Sequence, residues 1–148
     1  MLKLHEVKVK AVTMDEGGEF QVLLTDLEEK NVLPIHIGPF EAQAIVMALQ
    51  DKIPPRPMSH DLLKSLCSGL NGTLEKVVIT DILNDTFYAE LYLTCKGQNY
   101  VVDSRPSDAI ALALRCNSSI YMGLKLIEFT YDYDDIIKEE PPDDEDVH

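Results

Sequence analysis

The stretch Val102-Asp103-Ser104-Arg105-Pro106-Ser107-Asp108-Ala109-Ile110-Ala111-Leu112-Ala113-Leu114 joins a strand ending in an acid to a helix whose first residue is proline. Proline suits the first helical position because the N–H it lacks would have no partner there. Asp108, two residues on, places a carboxylate where free N–H groups favour anions and from where it can reach back to cap the helix. Two carboxylates, a guanidinium and a hydroxyl therefore meet at one helix start. The same plan occurs earlier as Val32-Leu33-Pro34-Ile35-His36-Ile37-Gly38-Pro39-Phe40-Glu41-Ala42.

Sliding the chain on itself by 67 positions without a gap superimposes Thr13 on Thr80, Phe20 on Phe87, Leu24 on Leu91, Pro39 on Pro106, Ala42 on Ala109 and Ala44 on Ala111. Glu41 falls on Asp108 and His36 on Asp103. The expected fold is α+β, an internally duplicated β-β-β-α unit (about 7–50 and 74–116) forming one mixed, barrel-like sheet with about three helices. Val7, Val9 and Ala11 alternate with lysines, Phe20, Val22 and Leu24 make the return strand, and Val32 to Ile37 make the third. In the second unit the strands are Leu74–Ile82, Thr86–Thr94 and Asn99–Asp103, with Lys96-Gly97 turning between the last two. Helices are expected at Pro39–Gln50 and Pro106–Arg115. A linking helix at about 59–70 has Ser59 as its N-cap and Leu62, Leu63, Leu66 and Leu70 on one face. A short strand around Ile120–Met122 completes the sheet.

The chain has 148 residues and a formal charge of −13, but residues 132–148 hold nine of its 26 acids against one lysine. The reading is one domain over 1–131 and a solvated, disordered acidic tail over 132–148. The remaining body, near −5, has no basic stripe, which argues against sequence-independent duplex binding by one subunit. No apolar run reaches membrane-spanning length, and the three cysteines form no C-x-x-C pair, so a reduced, cytoplasmic setting is expected. Tyr88 and Tyr92 share a strand face opposite Phe87 and Leu91. Such a face is usually covered, so a homo-oligomer is expected.

Two groups of side chains can carry chemistry. Asp103, Arg105, Ser107 and Asp108 surround the start of the helix at 106: Asp103 and Asp108 could ligate a divalent cation while Arg105 grips a phosphate bidentately. The plain alternative is that Asp108 and Ser107 only favour helix initiation and Arg105 pairs with a carboxylate. Arg56, His60 and Asp61 open the linking helix, where His60 could act as a general base or merely pack. His36 and Glu41 form a weaker third group. There is no P-loop, H-E-x-x-H, G-x-S-x-G, or H-x-E with C-x-x-C.

Five stretches, Leu33–Gly38, Glu41–Ile45, Arg56–Leu63, Asp85–Ala89 and Val102–Leu114, together resemble the bifunctional nuclease (BFN) domain family, from about Leu4 to Met122. The motifs Arg56-Pro57-Met58-Ser59-His60-Asp61-Leu62 and Asp103-Ser104-Arg105-Pro106-Ser107-Asp108-Ala109 carry most of the likeness, with Ser59 where threonine is usual and Ser104 where alanine is usual. The resemblance implies a compact α+β domain and hydrolysis of DNA and RNA. Its polar motif positions here are Arg56, His60, Asp61, Asp103, Arg105, Ser107 and Asp108.

The reading that follows is a metal-assisted phosphodiesterase for single-stranded or flexible nucleic acid. Asp103 and Asp108, with Asp61, would hold Mg²⁺ or Mn²⁺, His60 would activate water, and Arg56 and Arg105, with Ser107, would bind substrate. The alternative is a non-catalytic ligand-binding or oligomeric assembly module in which these motifs tie helix starts to strand ends. The two diverge on geometry. The first requires the helix starts at 59 and 106 to face each other around an open hollow.

Overall fold

A computed structural model describes residues 3–137. The strands β1 (Leu4–Met14), β2 (Phe20–Asp26) and β3 (Asn31–Ile37) are followed by α1 (Pro39–Leu49), then α2 (Ser59–Gly69). A second succession comprises β4 (Gly72–Leu83), β5 (Thr86–Cys95), β6 (Gln98–Ser104) and α3 (Pro106–Cys116). Then come β7 (Ser119–Gly123), a 3-10 helix (Leu124–Phe129), β8 (Tyr131–Asp132) and the short α4 (Tyr133–Ile137). The protein is thus mixed α+β around one eight-stranded sheet, in the order β6-β5-β4-β7-β1-β2-β3-β8.

That order is linear, so the barrel-like expectation is corrected: the sheet is open, with β6 and β8 as its edges. Strand β7 joins the two halves, parallel to β4 and antiparallel to β1. Bulges between Val9 and Ala11, Leu74 and Lys76, and Ile79 and Asp81 bend the long hairpin strands. The turn at Lys96-Gly97 forms as the dipeptide predicts, both residues having positive φ.

Alternation puts Val22, Leu24, Leu33, Ile35, Val77, Ile79, Ala89, Ile120 and Met122 into one core beneath α1 and α3. Helix α3 is buried at Ser107 and from Ala109 through Ala113, and its alanines let it approach both the sheet and α1 closely. Helix α2 behaves otherwise. Its leucines Leu62, Leu63 and Leu66, with Leu70 just past its end, do not enter the core but stand 45–69% exposed. Ser59 is its first helical residue, and the cap position belongs to Met58, whose backbone N–H donates to Asp61 Oδ2 (2.9 Å).

Residues 132–137, which composition assigns to a solvated tail, carry the end of β8 and α4. Asp132 pairs with Asn31, Tyr131 pairs with Val32, and Lys10 sits over the Tyr133 ring. Residues 138–148 of that expected tail lie outside the described residues. Among the described residues no helix is long and apolar enough to cross a membrane.

Candidate active site

Both proline-led helices begin at the same end of the molecule, and their first turns are joined by Arg105. Nε and Nη2 of Arg105 donate to the two oxygens of Asp108 (2.9 and 3.2 Å), and Nη1 donates to Oε2 of Glu41 (3.3 Å). Three of the five guanidinium N–H donors are thereby committed, and the side chain is still 64% exposed. The hydrogen bonds to Asp108 raise the Arg105 pKa further above its ordinary value. Glu41 folds back so closely over Gly38 that a Cβ there would overlap its carboxylate, so residue 38 must be glycine for Glu41 to keep this position.

Asp108 also receives His60 from α2, Nε2 to Oδ1 at 2.9 Å. Burial pushes the Asp108 pKa up, but its hydrogen bonds with Arg105 and His60 outweigh that and hold it below the ordinary range. The expected meeting of the helix starts at 59 and 106 is therefore present. His60, however, is only 12% exposed and does not border the open space beside Arg105. A cleft of about 360 Å³ is bounded by Ile35–Gly38 and Glu41, by Asp85–Phe87, and by Arg105–Ser107. Strands β3 and β5 line it together although four strands separate them in the sheet order, because the bent sheet brings their ends round to the helix starts.

The remaining motif residues are dispersed. Asp61 is a strut: Oδ2 accepts the Met58 N–H and Oδ1 accepts Nε of Arg115 (2.9 Å). Arg115, 8% exposed, also donates to the carbonyls of Ala111 and Ala44, tying α1, α2 and α3 together. The Met58 N–H, then Arg115, lower the Asp61 pKa against the opposing effect of burial. Arg56 is exposed on the loop before α2 and makes no side-chain hydrogen bond among the described residues. Asp103 is exposed on the edge strand β6, opposite Glu90 and outside the cleft. Ser107 is buried at the floor of the cleft.

The expected cation ligands Asp103 and Asp108 do not come together in a ligand set. Both oxygens of Asp108 are taken by Arg105 and His60. Among the described residues, the group of three side chains close enough to share an ion is Asp15, Glu19 and His36, whose ligand atoms lie within 4.8 Å of one another. Sequence reasoning singled out His36 but missed Asp15, Glu19 and Arg115. The signal for the acids was present: they bracket the Gly17-Gly18 turn, which folds them against the end of β3. Asp15 Oδ1 accepts the N–H groups of Gly17 and Glu19 (2.9 Å each), and Oδ2 lies 3.1 Å from His36 Nε2. The Glu19 N–H contributes most to lowering the Asp15 pKa.

Comparison with known proteins places this geometry in context. A family model described as the bifunctional nuclease domain matches residues 22–130. An uncharacterized protein of Mycobacterium tuberculosis is 41% identical over 122 residues, covering 80% of this chain and 71% of that protein. Bifunctional nuclease 1 of Oryza sativa subsp. indica is 29% identical over 134 residues, covering 82% of this chain and 40% of the rice protein. Bifunctional nuclease 2 of Arabidopsis thaliana is 27% identical over 95 residues, 62% of this chain and 29% of that protein. The chain spans less than half the length of these plant relatives.

Proposed function

The chain belongs to the bifunctional nuclease domain family, and from that premise we propose that it hydrolyses phosphodiester bonds of single-stranded or flexible nucleic acid in the cleft at Arg105. The observation that carries the reading is an exposed guanidinium held in one orientation by two carboxylates at the mouth of that cleft. Two of its N–H donors remain free for a phosphate, and Gly38, Glu41, Pro106 and Ser107 bring the starts of α1 and α3 to the same space. Asp108 and Glu41 orient Arg105. His60 acts through Asp108 as a positioning residue, and Asp61 with Arg115 ties the start of α2 to the last turn of α3 and to α1. The apolar side chains Ile35, Ile37 and Phe87 in the cleft suit an unstacked base or sugar better than a rigid duplex.

The cleft and its supports carry Glu41, Asp85 and Asp108 against one arginine, so a phosphodiester enters only with additional positive charge. A divalent cation supplies that charge and Lewis acidity when bound. The donor chemistry of Asp15, Glu19 and His36 fits such an ion, whereas Asp108 is already committed. The internal duplication belongs to the same reading. Val12 pairs with Val22 in the first hairpin, and Ile79 with Ala89 in the second, each pair 67 residues apart from its counterpart.

The test is hydrolysis of labelled single-stranded RNA and DNA by the purified full chain with Mn²⁺. Arg105→Ala is expected to lower the rate roughly 10²–10³-fold, and Asp103→Asn to leave it unchanged. Hydrolysis indifferent to Arg105→Ala would remove the reading.

A second reading has its own observation. The exposed leucines of α2 form an apolar face without a partner among the described residues, as expected of a homo-oligomeric assembly module. Self-association through α2 is compatible with the nuclease reading and is proposed beside it.

A further inference from the structure

We propose that Asp15, Glu19 and His36 form a binding site for one divalent first-row transition ion of the Mn²⁺ class, on the flank of the Arg105 cleft. The inference deepens the nuclease reading and rests on it for its purpose, though not for the binding itself. Two carboxylates and one imidazole are a mixed oxygen and nitrogen donor set, which favours such an ion over Mg²⁺, whose preference is for oxygen and water. Bonds of about 2.0–2.2 Å place neighbouring ligand atoms roughly 3–4 Å apart. The ligand atoms of Asp15, Glu19 and His36 already lie within 4.8 Å of one another, about an ångström from that spacing.

The site is partly organised before an ion arrives. Asp15 Oδ1 is anchored by the Gly17 and Glu19 N–H groups, which leaves Oδ2 facing His36. Among the described residues, no lysine or arginine pairs with Asp15 or Glu19, and the Glu19 carboxylate makes no hydrogen bond. Two negative charges therefore stand together with only an imidazole beside them, an arrangement that a cation relieves.

A second, independent observation is the charge of the neighbouring cleft. His36 lines both the recess formed with Gly18, Glu19 and Phe20 and the cleft containing Arg105. An ion on His36 would stand at the border of a cavity whose own groups are net acidic, where an anionic substrate needs a cation. Among the described residues the site occurs once. Its counterparts 67 residues on are Ile82, Thr86 and Asp103, and two of those three offer no carboxylate or imidazole.

The experiment is calorimetric titration of the full chain with MnCl₂, paired with Mn²⁺ broadening of the histidine ring signals in NMR. One Mn²⁺ per chain is expected, with His36 signals broadening before those of His60. His36→Ala and Glu19→Gln should each weaken binding roughly tenfold or more, and Arg105→Ala should leave it unchanged. Mn²⁺ affinity indifferent to both His36→Ala and Glu19→Gln, as it would be for ions gathered by the acidic residues 139–146, overturns the site. The nuclease reading fails separately: Mn²⁺ bound at His36 with no hydrolysis of RNA or DNA would sink that reading and leave the cation site standing.

Discussion

His60 Nε2 lies 2.9 Å from Asp108 Oδ1, the same oxygen that accepts Nη2 of Arg105 at 3.2 Å. One carboxylate thus links the start of α2 to the cleft, although His60 itself is nearly covered. The arrangement makes His60 a support for Arg105. Weakening that support shifts the guanidinium without emptying the core.

Arg115 ties three helices together through Asp61 and the Ala111 and Ala44 carbonyls. Replacing it with methionine keeps the apolar stem but leaves Asp61 and the Ala44 carbonyl without their partner. A loss of about 2–3 kcal/mol is expected, seen as a lower urea midpoint with an unchanged slope. An unchanged midpoint would show that Asp61 is satisfied by water instead.

Gly38→Ala separates positioning from folding. The Gly38 backbone, at φ −79°, accepts alanine without strain, but the new methyl would occupy the space of the Glu41 carboxylate. Glu41 should swing away and release Nη1 of Arg105. The expected result is a stability change under about 1 kcal/mol with hydrolysis down roughly 10–100-fold. Equal loss of both would assign residue 38 to the fold alone.

Acid should expose the Asp61 strut. Its folded pKa is held below the ordinary value of 3.8 by the Met58 N–H and by Arg115. The stabilisation is therefore complete above that value and is lost as pH falls through the lower, folded one. Wild-type stability should decline more steeply below about pH 4 than that of Asp61→Asn, measured by denaturation at successive pH values. Parallel curves would mean that Asp61 is not linked to folding.

The α2 face offers a test of assembly. Leu66 is 54% exposed, so Leu66→Glu should leave the melting temperature of a lone chain nearly unchanged. If α2 joins two copies, light scattering of wild type should show an oligomer, and the variant a monomer. A monomeric wild type would dispose of the idea.

Much of this protein was legible in short windows of its chain. Pro39 and Pro106 mark helix starts because proline's missing N–H and restricted φ act within a single turn. Strand alternation and the Lys96-Gly97 turn are equally local, since the pleat repeats every two residues. The leucines of α2 mark the limit of such windows: helical spacing reveals an apolar face but cannot say what covers it. The partnerships were decided by packing. Asp108 meets His60 across 48 positions, Asp61 meets Arg115 across 54, and Asp15 meets His36 across 21. Such pairings depend on where a bent sheet brings its strand ends, and no periodicity within one segment encodes that. Hence the polar residues of the motifs could be chosen from the chain, but which of them are struts between helices and which border the open cleft was decided only by the assembled fold.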